Sequence, residues 1–147
     1  MVSNPVEVVW SLPQSNFEKI TIIPTNYALK EDREYYNDTA SSFYKFAKNK
    51  MAIGIYSDPE ICLLQKSADW FGPVFYVGQL VIENHEVLIA LLDLISEYVK
   101  GRFPNSTPNI KFEIVSKDKT NKLFKSVKYD GPSSNIKEVL KSFDKLN

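Results

Sequence analysis

Residues 67–73 have the composition most typical of a binding site in this sequence. The carboxylate of Asp69 stands beside two large aromatic residues, Trp70 and Phe71, and a glycine and a proline follow them. Aromatic side chains supply a large contact area, and a neighbouring carboxylate can orient a ligand or a partner. Loops of this composition also cover the edge of a core. We expect Asp69, Trp70 and Phe71 to bind a ligand or a partner, with core covering as the alternative.

A second group of residues with a chemical role consists of lysines near the C-terminus. Lysines on one surface can bind phosphates, but they also keep exposed strands from aggregating. The chain contains only two arginines, Arg33 and Arg102, and arginine is the residue used most for bidentate contacts with bases and phosphates. We therefore predict a basic patch and place nucleic-acid binding last among the alternatives. The lysines of this basic patch are Lys111, Lys117, Lys119, Lys122, Lys125 and Lys128.

Residues for metal binding or covalent catalysis are sparse. The single histidine, His85, has no second ligand one helical turn away, and Cys62 lies in an apolar run, where a thiol is typically a small hydrophobe. The five glycines are too dispersed for a phosphate-binding loop. We expect no catalytic residue, no metal and no cofactor. A pocket with carboxylates from Glu31 to Asp38 or with Asp69, in a ligand-binding protein or an enzyme, is the alternative.

Helices are predicted where apolar residues recur every three or four positions. One amphipathic helix is predicted from Lys30 to Lys50, with acidic residues in its first turn. A second helix, from His85 to Arg102, is apolar around most of its circumference, so we expect it to be buried on several sides or to meet a second chain. Asn84 is its predicted N-cap and Gly101 its predicted stop.

Strands are predicted from β-branched or alternating segments. The clearest predicted hairpin joins Ile110–Ile114 to Leu123–Tyr129. Its first strand has one apolar and one solvent-exposed face. Asp130-Gly131-Pro132 is expected to end the hairpin. A capping box at Asn135 and Glu138 predicts the last helix. A hairpin of the first two strands is also plausible. The predicted fold is α+β: a mixed, mainly antiparallel sheet with two to three helices packed mostly on one face, in the order ββαβββαββα.

Composition limits the classes of protein to which the chain can belong. With 147 residues, 44% of them hydrophobic, we expect one globular domain over residues 1–147. The net charge is zero, yet residues 1–99 carry a balance of −6 and residues 100–147 a balance of +6. We see no secretory signal and no membrane span, and a single cysteine fits a cytoplasmic protein. The leading hypothesis is a non-enzymatic protein-interaction or accessory module that binds a protein partner or forms a homo-oligomer.

Overall fold

A computed structural model of the chain describes residues 2–12, 20–29, 33–57, 62–63, 70–78, 81, 83–117 and 123–144, with the backbone alone for residues 62–63 and 70–71. Groups of two or three strands are separated by helices along these segments. The strands are β1 (Val6–Val8), β2 (Ile20–Ile23), β3 (Tyr36–Asn37), β4 (Gly54–Ile55), β5 (Cys62–Leu63), β6 (Trp70–Val77), β7 (Asn109–Lys117) and β8 (Phe124–Pro132). The helices are α1 (Thr39–Ala47), α2 (His85–Arg102), a 3₁₀ helix (Ser133–Glu138) and α3 (Val139–Phe143).

Six strands form one mixed sheet in the order β1-β8-β7-β6-β2-β4. The pairs β1–β8, β8–β7 and β6–β2 are antiparallel, and the pairs β7–β6 and β2–β4 are parallel. Parallel neighbours need a long crossover, and here α1 lies between β2 and β4 and α2 between β6 and β7. Strands β3 and β5 form a separate parallel pair. The predicted mixed α+β architecture is confirmed. Of the five strand pairs in the six-stranded sheet, three are antiparallel and two are parallel, and β3 adds a strand before α1 that the predicted order ββαβββαββα lacks.

Helix α2 has the predicted bounds and the predicted N-cap, but not the predicted stop. The side chain of Asn84 accepts a hydrogen bond from the Glu86 backbone N–H, at 3.1 Å, which caps the first turn. Gly101 does not stop the helix, because Phe103 N–H still donates to Val99 O. Six side chains of α2 are buried, and its large apolar side chains are all buried or half-buried. The helix is therefore buried on several sides within this chain.

The first predicted helix is wrong in its first half. Within the described part of this interval, residues 33–50, only Thr39–Ala47 form the helix α1, and no acidic residue lies in its first turn. Tyr36, which fits the helical period, lies in β3 and pairs with Cys62. Its hydroxyl contacts the Ser57 hydroxyl at 2.8 Å. Contacts with residues far along the chain thus select strand over helix at this position.

Three further predictions about local structure are corrected. Strand β1 pairs with β8, so it forms no hairpin with β2. Residues 130–132 do not end the hairpin, because β8 continues to Pro132, which lies opposite Asn109. The expected capping box is absent: Asn135 has non-helical backbone angles within the 3₁₀ helix, which has no side-chain cap.

The sheet has two differently covered faces. The helices pack on the first face, where the larger core joins buried side chains such as Phe43 and Leu92 to Phe75 and Ile114 of the sheet. A smaller cluster covers part of the second face and includes Tyr27. No helix within the described residues is long and apolar enough to cross a membrane.

Candidate functional site

The second face of the sheet is covered at one end by aromatic residues from the N-terminal part of the chain. The Trp10 ring stacks on Phe124, with centroids 4.4 Å apart, and also contacts the rings of Tyr27 and Tyr76. Val115 is buried in the same cluster. These residues bury part of a strand face that the alternation of apolar and polar residues alone predicts to be solvent-exposed.

Glu113, in the middle of β7, lies at the edge of this cover. Tyr27 Oη donates to Glu113 Oε2 at 2.5 Å, and Ser126 Oγ donates to the same oxygen at 2.6 Å. Tyr27 is 4% and Ser126 2% exposed, whereas Glu113 is half-buried. Hydrogen bonds to a charged acceptor are among the strongest in proteins, so two of them hold this carboxylate in one orientation.

The same contacts change the acidity of Tyr27. Burial raises the pKa of the Tyr27 hydroxyl far above its usual value of 10.0, and the hydrogen bond to Glu113 and the charge of Glu113 raise it further. The cause is that a phenolate here would be desolvated and would face a carboxylate at contact distance. Tyr27 therefore acts as a fixed hydrogen-bond donor to Glu113.

Beyond Glu113 the second face opens into a cavity of about 280 Å³, which we call the charged groove. Two oppositely charged pairs of residues lie across neighbouring strands in it: Glu113 is opposite Lys128, and Lys111 is opposite Asp130. Residues directly opposite on antiparallel strands have side chains on the same face. The groove is lined by Thr25, Asn37, Gly72, Val74, Lys111, Phe112, Glu113, Lys128, Tyr129 and Asp130.

A β-bulge forms the wall of the charged groove on β6. Between the pairs Phe71–Lys111 and Val74–Glu113, β6 has one residue more than β7. The carbonyl oxygen of Gly72, which lies in this bulge, accepts a hydrogen bond from Asn37 Nδ2 at 2.7 Å. Glycine and proline within a strand are typical of a bulge. The bulge therefore explains a Gly-Pro pair that sequence reasoning assigned to a loop.

The predicted site around Trp70 adjoins this groove. Trp70 and Phe71 begin β6, opposite Ile110 and Lys111, so they lie in a strand and not in a loop. Asp69 lies outside the described residues. Ligand or partner binding by these three residues stays a prediction, and Gly72 of the predicted segment lines the groove.

The predicted basic patch is spread over the hairpin. Lys111 and Lys128 both line the charged groove. Lys117 lies six residues along β7 from Lys111, about 20 Å at ~3.3 Å per residue. Lys125 is opposite Ser116 and therefore lies on the other face. Lys119 and Lys122 are outside the described residues. This spread gives little support to one continuous phosphate-binding surface.

The predicted carboxylate pocket can be followed only in part. Glu31 and Asp32 lie outside the described residues, and Asp38, just before α1, makes no side-chain cap. His85 Nε2 lies 3.3 Å from Asp144 Oδ1, at the start of α2. In the part of the chain that the structure describes, no three histidine, cysteine or acidic residues are grouped as a metal site.

A larger cavity, of about 950 Å³, lies between the C-terminal half of α2 and the 3₁₀ helix. Its charges are exposed, and two of them neutralise each other, since Lys137 Nζ lies 3.1 Å from Asp93 Oδ1. The charged groove differs because its carboxylate is oriented by buried donors. We therefore take the charged groove as the candidate functional site.

Sequence reasoning missed the oriented carboxylate and its two donors. Tyr27 and Glu113 are 86 positions apart, so no local spacing connects them. What the sequence did show was Glu113 on the same predicted strand as Lys111, in a hairpin whose second strand also carries charged residues. Comparison with known proteins adds no information on the site: the chain matches no family model, no curated protein and no solved structure.

Proposed function

We propose that this chain is a non-enzymatic binding module that holds a small charged ligand in the charged groove. The observation that carries the proposal is the Glu113 carboxylate, which two buried hydroxyls orient at the edge of an open cavity. A half-buried carboxylate is costly to desolvate unless it is well hydrogen-bonded. Orienting it so that it also lines a cavity is an arrangement that favours ligand recognition.

Binding without catalysis is supported by the groups around the groove. Ser126 is only 2% exposed, so its hydroxyl is poorly placed to attack a ligand. The pKa of the Tyr27 hydroxyl is raised, which disfavours the phenolate that a base would need. His85 contacts Asp144 in the helical layer. The described residues that line the groove include no serine, cysteine or histidine.

A thermal-unfolding screen tests this proposal. Acetate, phosphate, ethylamine and free amino acids are each added at millimolar concentration to the full chain. A ligand at 100 times its Kd stabilises the folded state by about 2.7 kcal/mol, a rise in Tm of roughly 5–11 °C for a domain of this size.

The screen is repeated with two lysine variants. For a compound that carries an anionic group, Lys128→Met should remove the rise in Tm, because Lys128 lines the groove, whereas Lys125→Met on the opposite face should keep it. If no compound stabilises the wild-type chain, or if both variants lose the effect equally, the proposed function is wrong.

Self-association through β1 is a second candidate function. Strand β1 is an edge of the sheet, and Val6 and Val9 are 57% and 69% exposed. Leu123, next to the partner of Val8, is also exposed. A second copy of the chain could pair with this edge and cover these side chains. Sedimentation over a concentration series should show a dimer that Val9→Lys weakens; a monomer at every concentration would exclude it.

We also propose that the protein is located in the cytoplasm. It is supported by the single cysteine, Cys62, because proteins of oxidising compartments commonly use paired cysteines in disulfides. Fractionation of cells that produce the chain is the direct test. Recovery from a membrane or secreted fraction would contradict it.

A further inference from the structure

We propose that the charged groove binds a small zwitterion, a molecule with one ammonium and one carboxylate group, as in a free α-amino acid. This inference rests on the proposed function and names the class of ligand for the same site. It starts from Glu113 and Lys128, which lie directly opposite each other on antiparallel strands and line one cavity. The negative and the positive side chain that such a ligand must contact are therefore neighbours.

Both charges have capacity left for a ligand. Tyr27 and Ser126 donate to Oε2 of Glu113, and Oε1 accepts no hydrogen bond from the described residues. Lys128 Nζ makes no ion pair with a described carboxylate. An ammonium group can donate to Glu113 while the carboxylate of the same molecule accepts from Lys128. Opposite residues have Cβ atoms about 4.5–5.5 Å apart, a span that one α-amino acid can bridge.

The second charged pair selects against ligands with a single charge. Lys111 lies opposite Asp130, so charges alternate in sign both along and across the two strands. Asp130 is held by Asn109 Nδ2, which donates to Oδ1 at 2.7 Å. A lone anion that is drawn to one lysine is repelled by the adjacent carboxylate, whereas a zwitterion aligned against Glu113 and Lys128 meets an opposite charge at each end.

The volume of the groove sets the size of the ligand. A cavity of about 280 Å³ corresponds to roughly nine water molecules at ~30 Å³ each. It lies just below the range of about 300–1,000 Å³ that is usual for drug-sized ligands. A free amino acid of medium size fits such a space, whereas a nucleotide or a folded peptide segment would extend beyond it.

Chemically blocked amino acids test the need for both charges. Calorimetric titrations of the full chain use L-leucine, N-acetyl-L-leucine, which lacks the ammonium, and L-leucinamide, which lacks the carboxylate; glycine and L-glutamine test other sizes. Each blocked compound should bind about 10- to 100-fold more weakly than the free amino acid, because each loses one charge-assisted contact.

Two variants assign each charge of the ligand to its residue. Glu113→Gln should weaken the free amino acid and the amide but not the N-acetyl compound. Lys128→Met should weaken the free amino acid and the N-acetyl compound but not the amide. Lys128 is exposed, so its variant stays informative even if Glu113→Gln folds poorly. Lys125→Met, on the opposite face, should change none of these affinities.

The outcomes separate this inference from the proposed function. If the N-acetyl compound or acetate binds as tightly as the free amino acid, the ligand is an anion, and only the zwitterion inference is overturned. If the amide or ethylamine binds as tightly as the free amino acid, the ligand is a cation, and again only the zwitterion inference is overturned. If no compound of the wider charged screen binds, the proposed function falls as well.

Discussion

Replacing Tyr27 with phenylalanine removes one of the two hydroxyls that donate to Glu113 Oε2. A hydrogen bond to a charged group contributes about 1.5–3 kcal/mol to stability, so Tyr27→Phe should lower the free energy of unfolding by that amount. Glu113→Gln keeps an acceptor but removes the charge, and neutral hydrogen bonds contribute about 0.5–1.5 kcal/mol. The two changes act on the same bond and should not be additive.

A double-mutant cycle measures this coupling. Urea unfolding of the wild type, both single variants and the double variant should give a coupling free energy of about 1–1.5 kcal/mol, the difference between a charged and a neutral bond. Ser142→Ala serves as the control, because Ser142 donates to Ser3 O on the helical side of the sheet. Its combination with Glu113→Gln should be additive within about 0.5 kcal/mol.

The result that would refute the reasoning is a Tyr27–Glu113 coupling no larger than that of the control. Glu113 would then not be an oriented carboxylate. The pH dependence gives an independent check. Because the pKa of Tyr27 is raised in the folded state, the unfolded chain loses this proton first as pH rises above about 10, and stability falls there. Tyr27→Phe should make that fall shallower.

Three other predictions test the fold. Asn84→Ala should lower the free energy of unfolding by about 1 kcal/mol, since Asn84 caps α2, whereas Asn135→Ala, without a capping bond, should change it by less than about 0.5 kcal/mol. Phe75→Ala should cost about 3–5 kcal/mol because Phe75 is fully buried, and exposed Val9→Ala should cost little; both are read from urea unfolding. Burial raises the pKa of Tyr36 to about 12, so the free energy of unfolding should fall between about pH 10 and 12, by up to ~1.4 kcal/mol per pH unit. Tyr36→Phe should reduce this slope when stability is measured over that pH range.

The elements that sequence predicts correctly are those with local causes. Helix α2 has a continuous apolar stripe and an N-cap, Asn84, within the same segment. The β7–β8 hairpin joins strands that are close in sequence, with alternation that assigns Ile110, Ile114 and Val127 to the core side. In both cases the deciding contacts lie within or between adjacent segments, so the period of the apolar residues is sufficient.

Sequence reasoning fails where distant segments decide the local structure. Tyr36 fits a helical period, but pairing with Cys62 places it in β3. The N-terminal strand has turn-like residues after it, yet Val6 pairs with Ser126 near the other end of the chain. Alternation gives the face of a residue but not the identity of the neighbouring strand, so the order of a mixed sheet cannot be obtained from it.

The candidate site shows the same limit for burial. Alternation predicts correctly that Lys111 and Glu113 lie on the face away from Ile110 and Ile114. Alternation also predicts that this face is exposed to solvent, and this is correct only at the end that carries the charged groove. Tyr27 and Trp10 cover the other end, and they belong to the first part of the chain. Partial covering of one sheet face depends on where those segments pass, which no period in β7 encodes.

The position of Glu113 at the boundary of this cover connects the fold to the proposed binding. A full cover would bury both carboxylate oxygens and would demand more donors, and an absent cover would leave the side chain mobile in water. Here Tyr27 and Ser126 satisfy Oε2 from the covered side, and the β6 bulge at Gly72 shapes the open side. The fold thus fixes the direction of one charge while Oε1 accepts no hydrogen bond from the described residues, as the proposed ligand requires. Since that orientation is established before binding, a ligand loses less free energy in ordering the site, which is how preorganisation favours affinity.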